Sequence, residues 1–120
     1  MPRTTEYENP MRLKMIRELE KAGNLNEAPI WKMMAEQMSR SRKNRREVNI
    51  RKINEYTKEG DVVAVPGKVL GDGYLDHEVT VSAFSFSDDA KNKILKTGDA
   101  ISISELIERN PKGSNIKIIC

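Results

Sequence analysis

The apolar positions at the start of the chain recur with a helical period. Met11, Met15, Leu19 and Ala22, with Ile16 beside them, lie three or four residues apart, which predicts a buried stripe along one helix face. Asn9 offers a side-chain cap, Pro10 suits the first helical position, and Gly23 can close the far end in a left-handed turn; the helix is bracketed as Pro10 to Ala22. Pro29 opens a second helix to about Ser39, with Ile30, Trp31, Met34, Ala35 and Met38 on its apolar face and Trp31 in the core. From Val48 the period changes to two: Val48, Ile50 and Lys52 alternate with Asn49 and Arg51, the pattern of a short strand.

Val62 to Val65 are apolar without alternation, as in a strand covered on both faces, so layers on both sides are implied. Val79, Val81 and Ala83 alternate with Thr80 and Ser82, but Phe84 and Phe86 continue in the opposite phase. A bulge or two-sided burial near Ala83 accounts for the switch. Ser87 caps a helix from Asp88 to Thr97 whose two leading aspartates suit the positive end of its dipole, and Gly98 ends it. Ala100 to Ile103 reads as a strand, Ser102 and Glu105 have capping-box spacing for a short helix reaching Arg109, and Asn110 to Gly113 make a turn. Ile116, Ile118 and Ile119 finish as a strand.

The strand, helix, strand order makes the class α/β, one compact domain with a helical N-terminal extension. Residues 1–47 comprise a loose arm, two helices and a basic loop, and residues 48–120 form the globular α/β core. A chain of 120 residues buries roughly two thirds of the surface its unfolded form exposes, enough for a real core. With 38% hydrophobic and 32% charged residues, a charged surface is expected. The longest apolar runs are too short to span a bilayer and the N-terminus lacks a secretory pattern, so the expected location is the cytoplasm, with no membrane partner. The single cysteine, Cys120, can form neither an internal disulfide nor a thiolate metal cluster.

Charge changes the picture more than composition does. Ser39 to Lys52 holds seven basic side chains against one acidic, Glu47. The residues before it sum to zero and those after it to −3, so the formal net charge of +3 conceals a local +6. Solvated faces usually mix both signs, whereas Arg40, Arg42, Lys43, Arg45 and Arg46 stand together with no carboxylate among them. Arginine forks match phosphate geometry, and Ser39, Ser41, Asn44 and Asn49 add neutral donors, so nucleic acid is the expected partner. An import signal or an acidic membrane face is the rival reading, but no amphipathic apolar face accompanies the arginines. The stretch has no aromatic stacking platform and no framed recognition helix, which favours shape and phosphate recognition of folded RNA.

Other candidates are weaker. Gly67-Lys68 is followed by Val69 and Leu70, which favour extension, so the segment Val65 to Glu78 is no phosphate-binding loop. Gly71, Asp72 and Gly73 read as a tight turn between two strands. Lys68 is either one further phosphate contact or a solvated lysine. Asp76, His77 and Glu78, if on a strand, put the carboxylates on one face and His77 on the other, a poor arrangement for a metal. An enzyme built on His77 with Asp76 or Glu78, or on Cys120 as nucleophile, has no supporting motif, so neither catalytic activity, metal nor cofactor is expected.

The segments APIW, VNI, GDVVAVPGKVLGDG and VTVSAFSFS, followed by NPKGSNIKII, occur in an order and spacing that resembles the archaeal and eukaryotic large-subunit ribosomal protein eighteen family. That family is related in fold to the C-terminal part of bacterial ribosomal protein fifteen. The resemblance implies an irregular layered arrangement of strands and helices, and a structural constituent of the large ribosomal subunit with no catalytic activity. The implied partners are large-subunit ribosomal RNA and neighbouring ribosomal proteins, with no homo-oligomer. The family's basic loop matches Arg40, Arg42, Lys43, Arg45 and Arg46 here, its RNA-facing strand matches Asn49, Arg51 and Lys52, and Lys68 falls near RNA. Ser41 and Asn44 interrupt what is often an unbroken arginine block, so the number of phosphate contacts differs from the family pattern. The short termini are more archaeal than eukaryotic in character. The alternative is a non-ribosomal RNA- or DNA-binding protein.

Overall fold

The computed structural model describes residues 10–39 and 46–120, Arg46 by its backbone alone. The elements run α1 (Pro10–Asn26), α2 (Pro29–Met38), β1 (Arg46–Asn49), α3 (Ile50–Tyr56), β2 (Asp61–Leu70), β3 (Val79–Phe86), α4 (Asp88–Thr97), β4 (Asp99–Ser102), α5 (Ile103–Arg109) and β5 (Ile116–Ile118). The strands form one sheet in the order β1-β2-β3-β4, with β5 also paired to β2, and each of these pairings is parallel. β1 lies against Gly67–Leu70 and β5 against Val62–Ala64, so the long strand β2 carries β1 along its later half and β5 along its earlier half.

A parallel sheet needs cover on both faces, and two apolar clusters supply it. On one face Val63, Val65, Val79, Val81 and Ala83 meet Ile50 and Ile53 of α3, Ala90 and Ile94 of α4, and Leu75. On the other, Ala64 and Ile101 meet Leu19 and Ala22 of α1, Trp31, Met34 and Met38 of α2, and Leu106 of α5. The unalternating run Val62 to Val65 is therefore buried two ways, as its pattern predicts: Val63 and Val65 toward one cluster, Val62 and Ala64 toward the other. α/β is the observed class, with α1 and α2 sharing the sheet's second core.

The phase switch in β3 has both expected causes. Phe84 packs into the cluster of α1, α2 and α5, whereas Phe86 packs into that of α3 and α4. The irregularity itself sits on the facing strand, where Val65 pairs with Ala83 but Lys68 with Ser85, leaving an extra residue on β2. Pro66 falls in that step, a place in a sheet where a residue without an N–H is tolerated. The two serine caps also form as expected: the Ser87 hydroxyl accepts from the Ala90 N–H and the Ser102 hydroxyl from the Glu105 N–H, each at 3.1 Å.

Four expectations change. The first helix does not stop at Ala22 but runs to Asn26, and the left-handed residue is Glu27 (φ 50°). Gly23 is instead a close-approach position, because a Cβ there would lie 2.6 Å from Cγ of Lys32 on α2. Met11 stands 62% exposed near the start of α1 and not in the buried stripe, where Leu19 and Ala22 lie with Met15 and Ile16 beside them. The strand from Val48 ends at Asn49, since Ile50 and Ile53, three apart, turn a seven-residue helix onto the core, and Arg51 and Lys52 lie on that helix. Gly71 to Gly73 is not a hairpin turn, because β2 and β3 are parallel; residues 71–78 are a crossover that buries Leu75.

The segment Asn110–Gly113 is tied to α2. Trp31, fully buried, donates its indole N–H to the Pro111 carbonyl at 2.7 Å. A Cβ on Gly113 (φ 70°) would overlap Cγ2 of Ile30.

Candidate nucleic-acid interface

α2 ends on Ser39, whose backbone N–H and hydroxyl both reach the Ala35 carbonyl, at 3.0 and 2.8 Å. The chain is next described at Arg46, in register with Gly67 midway along β2. Arg40, Arg42, Lys43 and Arg45, and the expected loop that holds them, lie outside the described residues, as does the side chain of Arg46.

The structure brings Asn49, Arg51 and Lys52 to one place. Asn49 closes β1 at the cap position of α3, half-buried, though its side chain makes no cap hydrogen bond. Arg51 and Lys52 are exposed, because Ile50 and Ile53 take the inward face of the helix. All three line a surface groove of about 280 Å³ together with Glu47, Glu55, Tyr56 and Asp72. Arg51 is held there twice: its guanidinium pairs with the Asp72 carboxylate at 3.1 Å and its backbone N–H donates to the Asp72 carbonyl at 3.0 Å. Close approach explains the glycine that follows, since a Cβ on Gly73 (φ 103°) would come within 2.8 Å of the Arg51 backbone. Lys52 extends the other way and donates to the Cys120 carbonyl at 2.8 Å.

Lys68 does not join that groove directly. It stands exposed on β2, in register between Glu47 on β1 and Ser85 on β3. Glu47, Glu55 and Asp72 interleave with Asn49, Arg51 and Lys52, so the described part of the surface carries both signs. The excess positive charge belongs to the stretch that enters it. Tyr56 also lies on this surface, an aromatic that a strand continued past Asn49 does not place here. Recognising a helix from Ile50 would have put Tyr56 one turn beyond Lys52 on the same face.

Asp76 and His77 are not arranged as a strand would arrange them. They lie in the crossover, where the His77 Nδ1 and an Asp76 carboxylate oxygen are 2.7 Å apart, and this contact holds the carboxyl of Asp76 below its ordinary value. The other ring nitrogen is 2.7 Å from the hydroxyl of Thr57, which itself donates to the Ile53 carbonyl at 2.7 Å. The Thr57, His77, Asp76 chain ties the last turn of α3 to the crossover. The hydroxyl proton is committed to a backbone carbonyl and the residue is buried, so this threonine is a strut and not a nucleophile. Among the described residues no group of three His, Cys, Asp or Glu side chains is close enough to hold a metal, and no helix is long and apolar enough to cross a membrane.

Residues 4–120 match the family described as ribosomal protein 60S L18 and 50S L18e, and the chain belongs to that family. The family is one of structural ribosomal proteins and not of enzymes. The relatives include the large ribosomal subunit protein eL18 of Methanospirillum hungatei, 46% identical over 120 residues with 99% of each chain covered. The protein of the same name from Methanothermobacter thermautotrophicus is 45% identical over 120 residues, again with 99% of each chain covered. That of Methanococcus maripaludis is 46% identical over 112 residues, covering 92% of this chain and 93% of that one. All three sources are archaea.

Proposed function

We propose that this chain is a structural constituent of the large ribosomal subunit in the cytoplasm and grips ribosomal RNA with the stretch that joins α2 to α3. Arg40, Arg42, Lys43, Arg45 and Arg46 neutralise phosphates, Asn49, Arg51 and Lys52 continue the contact along the groove, and Lys68 adds a further cation on the neighbouring strand. The chain acts as a single copy among neighbouring ribosomal proteins, not as a homo-oligomer, and away from membranes. One observation carries this reading: five basic residues in seven, with no acidic one among them, lead from a helix anchored in one core into a strand and helix anchored in the other. Arginine and lysine at that density meet a polyanion more favourably than they meet each other.

The test is a binding titration against large-subunit ribosomal RNA across salt concentrations. If about five side chains meet phosphates, the log-log slope is on the order of −3.5 to −4.5. Replacing Arg42, Arg45 and Arg46 with alanine should flatten the slope while leaving the unfolding transition in place. A slope near zero for the unaltered chain refutes the reading. Sedimentation of a cell lysate supplies the second check, since a non-ribosomal RNA- or DNA-binding protein would be found mainly outside the large subunit.

A further inference from the structure

Tyr56 ends α3, 60% exposed, one turn after Lys52. These two side chains line both surface grooves of this region and so form the ridge between them. The larger groove, about 670 Å³, has Ile118 and Ile119 as its apolar lining and Lys52, Lys117 and Cys120 around them. Tyr74, 67% exposed, lines neither groove.

The two cations are held by backbone oxygens and, for Lys117, also by a carboxylate. The Lys117 ammonium donates to the Tyr56 carbonyl at 3.3 Å and pairs with Asp61 at 3.0 Å, while Lys52 donates to the Cys120 carbonyl. An ammonium has three N–H donors, so each lysine keeps at least one beyond these contacts. An exposed aromatic side chain that lines a groove together with two lysines and two isoleucines is a composition suited to stacking a splayed-out base and meeting its flanking phosphates. Asp61 offsets part of the Lys117 charge, and Glu55 lies on the far side of the ridge. The smaller groove joins this surface directly to Asn49 and Arg51.

We propose that the α3–β5 groove takes an unpaired nucleobase of RNA stacked on Tyr56, with Lys52 and Lys117 on the adjoining phosphates. The proposal builds on the RNA-binding reading above and extends it from Lys52 into a groove completed by Tyr56 and Lys117. Continuity with that stretch favours RNA over the other occupant the groove admits, a peptide strand added beside β5.

The experiment uses the full chain and large-subunit ribosomal RNA. Tyr56→Ala should weaken binding about 5- to 150-fold, the range for loss of one stacked base, and Tyr56→Phe should keep affinity within about twofold. Because the ring is exposed, both variants should unfold with the parent chain. An iron chelate tethered to Cys120, the single cysteine in 120 residues, should cut the RNA beside an unpaired nucleotide, and Tyr56→Ala should abolish those cuts. Unchanged affinity in Tyr56→Ala, or cuts confined to duplex, overturns the proposal. So does a variant that binds naked RNA normally yet fails to enter the subunit, the result for a peptide occupant. If the unaltered chain shows no salt-dependent RNA binding, the broader reading has failed; if it does and only the Tyr56 results are negative, the groove alone has been misassigned.

Discussion

Replacing Gly113 with alanine tests how α2, and with it the start of the basic stretch, is fixed to the rest of the protein. Two costs are expected. The residue has φ 70°, where an alanine Cβ meets backbone strain of about 1–2 kcal/mol. The added methyl would also overlap Cγ2 of Ile30, a β-branched side chain with little χ1 freedom to move aside. Overpacking of that kind costs about 1–3 kcal/mol, for a total of about 2–5 kcal/mol. Gly60 supplies the control, since its φ is 87° and a Cβ there meets nothing within 4 Å, so Gly60→Ala carries only the strain. Chemical denaturation of both variants isolates the contact, and combining Gly113→Ala with Ile30→Ala should recover part of the loss. Equal midpoints for the two glycine variants, or no recovery in the double variant, would falsify the clamp between the Asn110–Gly113 turn and α2.

Further outcomes follow from single contacts. Ser87→Ala and Ser102→Ala should each lower stability by about 1 kcal/mol in denaturant titrations, because each leaves a helix N–H without its hydroxyl acceptor; unchanged midpoints would count against the caps. Asp61 is held below the ordinary aspartate value by the Lys58 backbone N–H first and the Lys117 ammonium second. A depressed carboxyl stabilises the fold above its unfolded pKa and loses that effect as pH falls through the folded one. The stability gap between the parent and Asp61→Asn should therefore be full near neutrality and close in acid; a gap independent of pH would contradict this. Asp72→Asn removes the carboxylate that pairs with Arg51 and should tighten RNA binding with little change in stability, since the pair is exposed. Weaker binding in that variant would mean Asp72 positions Arg51 and does not compete for it.

What the sequence made legible were features whose cause is local. α4 was readable to its ends because Ser87, Asp88 and Asp89 satisfy and complement its first turn within a few residues. The two-sided burial of Val62 to Val65 was readable because it needs only a count of apolar positions. The errors arose where tertiary context outranks local preference. Val48 and Ile50 alternate as a strand would, yet Ile50 begins a seven-residue helix that turns Ile50 and Ile53 onto the core. Gly23 carries the stop signal of a helix but serves helix contact, and Asp72-Gly73 carries a hairpin signal but opens a parallel crossover. The groove beside Tyr56 was not legible at all, because it forms only when β5 pairs with β2 below β1 and brings Lys117 and Cys120 to Lys52.

That same topology explains why the charge can be concentrated where it is. The basic stretch leaves α2, whose Trp31, Met34 and Met38 are buried against one face of the sheet, and enters β1 and α3, whose Val48, Ile50 and Ile53 are buried against the other. Its two ends are thus fixed in separate cores on opposite sides of one sheet edge. Arg40, Arg42, Lys43, Arg45 and Arg46 stand between these two anchors with no carboxylate among them to offset their charge. Mobile ions screen part of their mutual repulsion, a polyanion would lower it further, and anchored ends would reduce the ordering cost if the proposed contact forms. On the proposed reading, the fold would contribute to binding without touching the ligand, by fixing Ser39 and β1 on either side of the cationic segment.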